Sequence, residues 1–363
     1  MPKRLHSDRL LFLTTLALVV FGLVMVFSAS AVLSADQFGS AYTFLGRQLA
    51  WAVAGVAAML GLMRVDYHHY RSPAVVFALL FLALFLLAAV LLWDGAHNTH
   101  RWFRWGLFSF QPSELAKPVV IIFLAWFLEK RLRAVNDLFY TVLPALAVVG
   151  VAVALILREP DLGTAVTLLM ITGAMFFIAG LKLRYYVAAL LAALPAFYLL
   201  VYRVAYRRNR ILAFLDPYED PQGRGFQMIQ SLIAVGTGGL GGAGLMQGKQ
   251  KLFYLPAPHT DFIFAVVSEE LGLVGAGLTL LAFGVFFWRG LRASLRAPDP
   301  FGRLLAVGIS VMIVCQALIN ISVVLGLLPT KGLPLPFISY GGSSLLFNLV
   351  AMGLLLNVSQ HAE

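Results

Sequence analysis

The chain has 363 residues, of which 60% are hydrophobic and only 12% charged, with a formal charge of +10 and a mean hydropathy of +0.86. Soluble domains carry about 25% charged residues, so this composition excludes a soluble core and predicts an all-α polytopic membrane protein. One cysteine, Cys315, excludes an intrachain disulfide and a cysteine-based metal site. The basic residues fall in short tracts between apolar runs, which argues for orientation in a bilayer and against nucleic acid.

The first apolar run, 10–34, follows Lys3, Arg4 and Arg9, and Ala29-Ser30-Ala31 within it mimics a signal-peptide cleavage site. It is too long for a signal-peptide core, roughly 7–15 residues, and reads as an uncleaved first span. Further runs at 45–65, 73–93, 112–129, 139–157, 163–180, 184–201, 262–288, 303–328 and 336–358 bring the total to about ten transmembrane helices. With the amino terminus in the cytoplasm, fourteen Lys and Arg fall inside, from Lys3 to Arg303. Five fall on the short outer segments: Arg47, Arg101, Arg104, Arg158 and Lys331. Both termini are therefore expected to be cytoplasmic. One domain, 1–363, is expected, with one long extracytoplasmic loop, 202–261, between helices seven and eight.

In chain order, the first chemistry-bearing block is Gln111-Pro112-Ser113-Glu114-Leu115-Ala116-Lys117. Pro112 suits a helix start, and Glu114 and Lys117 share a face, either as a structural ion pair or as part of a site. Arg158-Glu159-Pro160-Asp161 packs three charges into a turn between two spans. The 202–261 loop contains apolar stretches such as Phe226 to Val235, which predict a packed segment. Gly236, Gly238 and Gly241 superficially fit a dinucleotide fingerprint, but no βαβ unit surrounds them. His259-Thr260-Asp261-Phe262 opens the eighth span. Asp261 reads either as a helix-start residue, with Thr260 as N-cap, or as a general base. Glu269 and Glu270 lie deeper and read as structural partners of neighbouring helices. Two prolines and two glycines break the entry to the tenth span, ahead of Ser343 and Ser344.

These blocks, with Pro160-Asp161-Leu162-Gly163-Thr164 and Gly332 to Ser344, occur in the order seen in the SEDS family of peptidoglycan glycosyltransferases (FtsW, RodA, SpoVE), which the chain resembles over most of its length. The resemblance implies an inverting enzyme of the bacterial cytoplasmic (inner) membrane. It would polymerise lipid II into β-1,4 glycan strands at the outer face, releasing undecaprenyl pyrophosphate. It implies Asp261 as the catalytic base. Glu114, Lys117, Arg101, Arg210, Asp161, His259, Thr260, Ser343 and Ser344 are expected around the substrate, with Glu269 and Glu270 in support. A class B penicillin-binding protein and divisome or elongasome proteins are the expected partners. No cofactor is specified; a divalent cation (Mg or Mn) would suit the leaving pyrophosphate, but no ligand cluster in the sequence assigns one.

The resemblance is imperfect before His259, where Pro256-Ala257-Pro258 replaces the usual proline-glutamate-alanine, and at Arg101-Trp102-Phe103. Ser231-Leu232-Ile233-Ala234 and Leu328-Pro329-Thr330-Lys331 favour the division member over the elongation member. A lipid II flippase and a non-catalytic scaffold are the rival readings.

Overall fold

The computed structural model describes residues 7–93, 100–105 and 108–362. Lys3 and Arg4, used in reading the first span and its orientation, lie outside them. Helices occupy all ten predicted spans. They are α1 (Arg9–Phe38), α2 (Thr43–Leu62), α3 (Pro73–Leu92), α4 (Pro112–Glu129), α5 (Leu143–Arg158), α6 (Leu162–Ile178), α7 (Leu183–Phe197), α10 (Ile263–Arg296), α11 (Pro300–Val324) and α12 (Gly342–His361). Seven, with α5 extended back to Leu138, are long and apolar enough to cross a membrane on their own. The other three, α4, α6 and α7, fall short for different reasons. α4 carries Glu114, Lys117 and Glu129 in 18 residues, α6 has 17 residues, and α7 passes into a π-turn at Tyr198–Tyr202.

The core is built on α4, α11 and α12. From Ala116 to Leu128 every residue of α4 is buried, which is why its sequence is apolar all round. The outer helices show the reverse: Phe81, Leu92 and Leu190 are largely exposed, as lipid-facing side chains are.

Two features depart from a simple bundle. A short antiparallel hairpin, β1 (Phe103–Trp105) with β2 (Phe108–Phe110), precedes α4, pairing Phe103 with Phe110. The segment 202–261 is not an open loop: it contains α8 (Ala205–Leu215) and α9 (Phe226–Gly238). Ser231 of α9 donates to the Val324 carbonyl of α11 at 2.8 Å, so this segment is fastened to the bundle.

α10 is broken at Gly272, whose φ of 62° lies in the left-handed region. The break accommodates the glycine-rich stretch. A Cβ on Gly272 would lie 2.4 Å from the Gly242 nitrogen, and one on Gly242 would lie 2.2 Å from the Glu270 carbonyl oxygen. Two backbones meet here at a distance that only glycine permits.

Candidate active site

Asp261 stands in the turn before α10, and its backbone is fixed from two directions. Asn320 of α11 donates through Nδ2 to the Asp261 carbonyl at 2.8 Å and to the Leu333 carbonyl at 2.7 Å. The broken segment before α12 supplies the rest. Tyr340 N–H donates to the His259 carbonyl at 2.8 Å, and Ser339 Oγ donates to the Thr260 carbonyl at 2.6 Å. Gln48 of α2 holds that segment in turn, donating to the Ser339 carbonyl at 3.1 Å and accepting from Gly341 N–H at 3.2 Å. The prolines and glycines of 332–342 therefore shape a strap against residues 259–261.

The Asp261 carboxylate itself accepts no hydrogen bond among the described residues. Gly332 lies close beside it: a Cβ there would approach Oδ2 to 3.1 Å. Asp261 is only half-buried by surface yet densely surrounded. Burial pushes its carboxyl up to about 6; Arg210 and Arg101 pull it down and Asp161 pushes it further up. The helix-start reading is corrected: Phe262 occupies the N-cap position without a side-chain cap, and Thr260 Oγ1 turns back to the Ala257 carbonyl at 3.3 Å.

The neighbouring charges come from separate segments. Asp161 caps α6, accepting from Thr164 N at 3.0 Å and Thr164 Oγ1 at 2.7 Å. Arg101 Nε donates to the Glu159 carbonyl at 2.6 Å, and its guanidinium also reaches the Pro160 carbonyl. Arg210 donates to the Thr330 carbonyl at 3.0 Å and to the Tyr206 hydroxyl. His259 is buried against Phe44 and Tyr340, its Nδ1 without a partner, and burial pushes its imidazole down to about 4. It is neutral at neutral pH.

Glu114 and Lys117 are 2% and 1% exposed, with Lys117 Nζ 2.8 Å from Glu114 Oε2. Lys117 also donates to Gln316 Oε1 at 2.7 Å, and Gln316 Nε2 donates to the Pro334 carbonyl at 2.9 Å. Lys117 thus faces α11 and braces the strap instead of facing open space. Ser343 and Ser344 are buried at the start of α12, where Ser344 Oγ accepts from Asn348 at 3.4 Å.

Glu269 and Glu270 hold the glycine-rich stretch. Glu269 Oε1 accepts from Lys249 N at 2.7 Å and Gln250 N at 3.1 Å. Glu270 accepts from Met246 N at 2.9 Å, from Ser28 Oγ of α1 at 2.7 Å and from Lys251 Nζ at 2.6 Å.

Sequence reasoning missed several contributors. Gln48, Gln316 and Asn320 were visible as amides within apolar spans, and Gln316 and Asn320, four apart, share one face. Glu159 is fully buried with both carboxylate oxygens unpaired; burial, and then Asp161, push it up to about 9 against Arg101. Lys331, next to Gly332, makes no hydrogen bond or ion pair among the described residues, and burial lowers its ammonium against the pull of Asp161. Among the described residues no three His, Cys, Asp or Glu side chains gather as metal ligands. The side chains alone do not form a cage for a divalent cation, and no step is assigned to one.

Residues 8–363 match the family model for cell cycle proteins of the FtsW, RodA and SpoVE type. The chain is 46% identical to the probable peptidoglycan glycosyltransferase FtsW of Geobacter metallireducens, over 97% of this chain and 94% of that one. It is equally, 46%, identical to the stage V sporulation protein E of Bacillus subtilis, over 99% of each. Among solved structures it is similar to the rod shape determining protein RodA of Thermus thermophilus, with a TM-score of 0.73 and 30% identity over 99% of this chain and 98% of that one. A chain from work on the structural coordination of polymerization and crosslinking by a peptidoglycan synthase complex matches at a TM-score of 0.80 and 34% identity, over 98% of each.

Proposed function

The chain belongs to the FtsW, RodA and SpoVE family of cell cycle proteins, and from that premise we propose how its geometry carries out peptidoglycan glycosyl transfer. It is a multi-pass membrane protein and a peptidoglycan glycosyltransferase. The substrate is lipid II. The acceptor C4 hydroxyl attacks the anomeric carbon of the donor, the new β-1,4 bond forms as the bond to undecaprenyl pyrophosphate breaks, and the configuration inverts. Asp261 takes the hydroxyl proton. A carboxylate with a pKa near the working pH is the effective form of such a base.

The leaving pyrophosphate needs cations. Lys331, which has no partner of its own, and Arg210 are the two best placed, while Arg101 shapes the 159–160 turn. Lys117, held by Glu114 and Gln316, positions the strap. The membrane is the bacterial cytoplasmic membrane, with the 202–261 segment on its outer face. A class B penicillin-binding protein crosslinks the product, and the division type is favoured by the FtsW relatives. The flippase reading loses support because Glu269 and Glu270, its candidate midplane groups, are already bonded to the 243–251 stretch.

The carrying observation is Asp261: backbone clamped, carboxylate free of hydrogen bonds. Purified protein with lipid II and its transpeptidase partner tests it. Asp261→Asn should lower polymerisation by ~100-fold or more, the usual contribution of a general base, while thermal stability holds or rises, because the burial cost of the charge is gone. Wild-type polymer from the variant would refute the assignment.

A further inference from the structure

The face of the protein that carries both chain ends has a second basic site. The start of α1, the last turns of α10 and the end of α12 enclose a pocket of about 360 Å³, lined by Asp8, Arg9, Arg289, Arg292, Arg296 and Ser359 among others. Asp8 is its one carboxylate, and it is already engaged. It caps α1 by accepting from Leu11 N at 3.0 Å, and it accepts from Arg289 Nε at 2.7 Å. Ser359 Oγ accepts from Asp8 N at 3.2 Å and donates to the Leu356 carbonyl at 2.7 Å. Arg9, Arg292 and Arg296 make no hydrogen bond or ion pair among the described residues. Guanidiniums gathered without counter-charge repel one another and favour an anion between them. The carboxyl end of α10 adds a partial negative charge, which four guanidiniums outweigh.

An apolar groove adjoins this pocket. It is lined by Trp288, Leu291 and Leu295 and shares Arg292 and Arg296 with the basic pocket. Trp288 is 56% and Leu295 69% exposed. At ~1.5 Å per residue α10 is roughly 50 Å long, against a hydrocarbon core of about 30 Å. With its start at Asp261, its end must reach the opposite interface, where tryptophan and arginine sit at headgroup level. A free anion would need only the arginines; the adjoining groove gives an acyl chain a place to lie.

We propose that this pocket binds the phosphate headgroup of an anionic phospholipid of the adjoining leaflet, with its acyl chain along Trp288, Leu291 and Leu295. The site lies at the far end of α10 from Asp261, so this inference does not depend on the polymerase reading.

Trp288 supplies the readout. Purified full-length protein in neutral detergent is titrated with phosphatidylglycerol carrying brominated acyl chains, and in parallel with brominated phosphatidylcholine, while tryptophan fluorescence is followed. Quenching should saturate at lower phosphatidylglycerol than phosphatidylcholine, and Trp288→Phe should remove the difference. Arg292→Gln with Arg296→Gln should weaken the phosphatidylglycerol response by about tenfold or more, at roughly 1 kcal/mol per basic residue near a charged lipid surface. The corresponding double lysine variant should keep most of it, which separates charge from folding. Equal quenching by the two lipids, or an unchanged response in the glutamine variant, would overturn the proposal. So would full displacement of the lipid by millimolar inorganic phosphate, which would mark a site for a free anion.

Discussion

Asp261 is the point where opposing electrostatic influences meet, and each can be moved separately. Its base form must be unprotonated, so polymerisation should rise through an acid limb with a midpoint at about 6. Arg210 holds that midpoint down and Asp161 holds it up. Arg210→Gln should therefore shift the limb to higher pH. Asp161→Asn, which keeps a capping side chain for α6, should shift it lower. Rate–pH profiles of the three proteins check the signs; shifts in the opposite directions would remove Asp261 from the role. Glu159 gives a stability signature. Its folded pKa, about 9, lies above the ordinary carboxyl value of 4.5, so between these limits the folded state holds a proton that the unfolded state has lost. Stability contributed by this group is complete below about 4.5 and is lost as pH rises toward 9, by up to about 1.4 kcal/mol per pH unit. Glu159→Gln mimics the neutral form. It should melt like wild type at pH 5 and at higher temperature than wild type at pH 8.

At the scale of elements, α4 and α11 act as one part. Lys117 links Glu114 on its own helix to Gln316, and Gln316 and Asn320 carry that link to the strap before α12. Removing one member of a buried pair leaves the other charge uncompensated, at a cost of about 3–5 kcal/mol. Lys117→Met should therefore destabilise strongly, and adding Glu114→Gln should recover part of the loss. Polymerisation by the double variant should be about that of Lys117→Met alone, since groups acting as a unit are not additive. Additive losses in melting and activity would separate the two residues. Much of this was legible beforehand. Pro112 and the i,i+3 pair announced the start of α4, and the ten apolar runs announced their helices. The partners were not legible, because Lys117 meets Gln316 across 199 positions and an amide in an apolar run does not say which helix it faces. The turn at Arg158 to Asp161 was seen as charged, but the burial of Glu159 depends on Arg101 and the strap closing over it. The helices α8 and α9 were hidden because their apolar stretches are too short to mark a span.

At the scale of the molecule, the carboxylates and cations around Asp261 lie at one end of α10 and the free arginines at the other. A polymerase of this shape needs its substrate only on the Asp261 side. In proteoliposomes with lipid II confined to the leaflet on that side, and the crosslinking partner present, glycan should form without lipid crossing the bilayer. Polymer should fall as salt rises, since exposed charge contacts are screened over ~8–10 Å. Translocation without polymer would favour the transporter. The glycine contact between the 239–251 stretch and the break in α10 also determines where this protein can tolerate change in length. Ala243 N and Gly244 N bond to the Glu269 and Glu270 carbonyls at 2.9 and 3.0 Å, and the two glutamate side chains take up the amides that follow. One inserted residue would shift every donor off its acceptor, and no side chain fits in the gap to absorb the slip. The turn at Asp216 to Pro221, exposed and bonded mainly to itself, has no such register. Within one segment of the same sequence, a fluorescent domain or an epitope has room at 218–220, and at 242–248 even a single alanine does not.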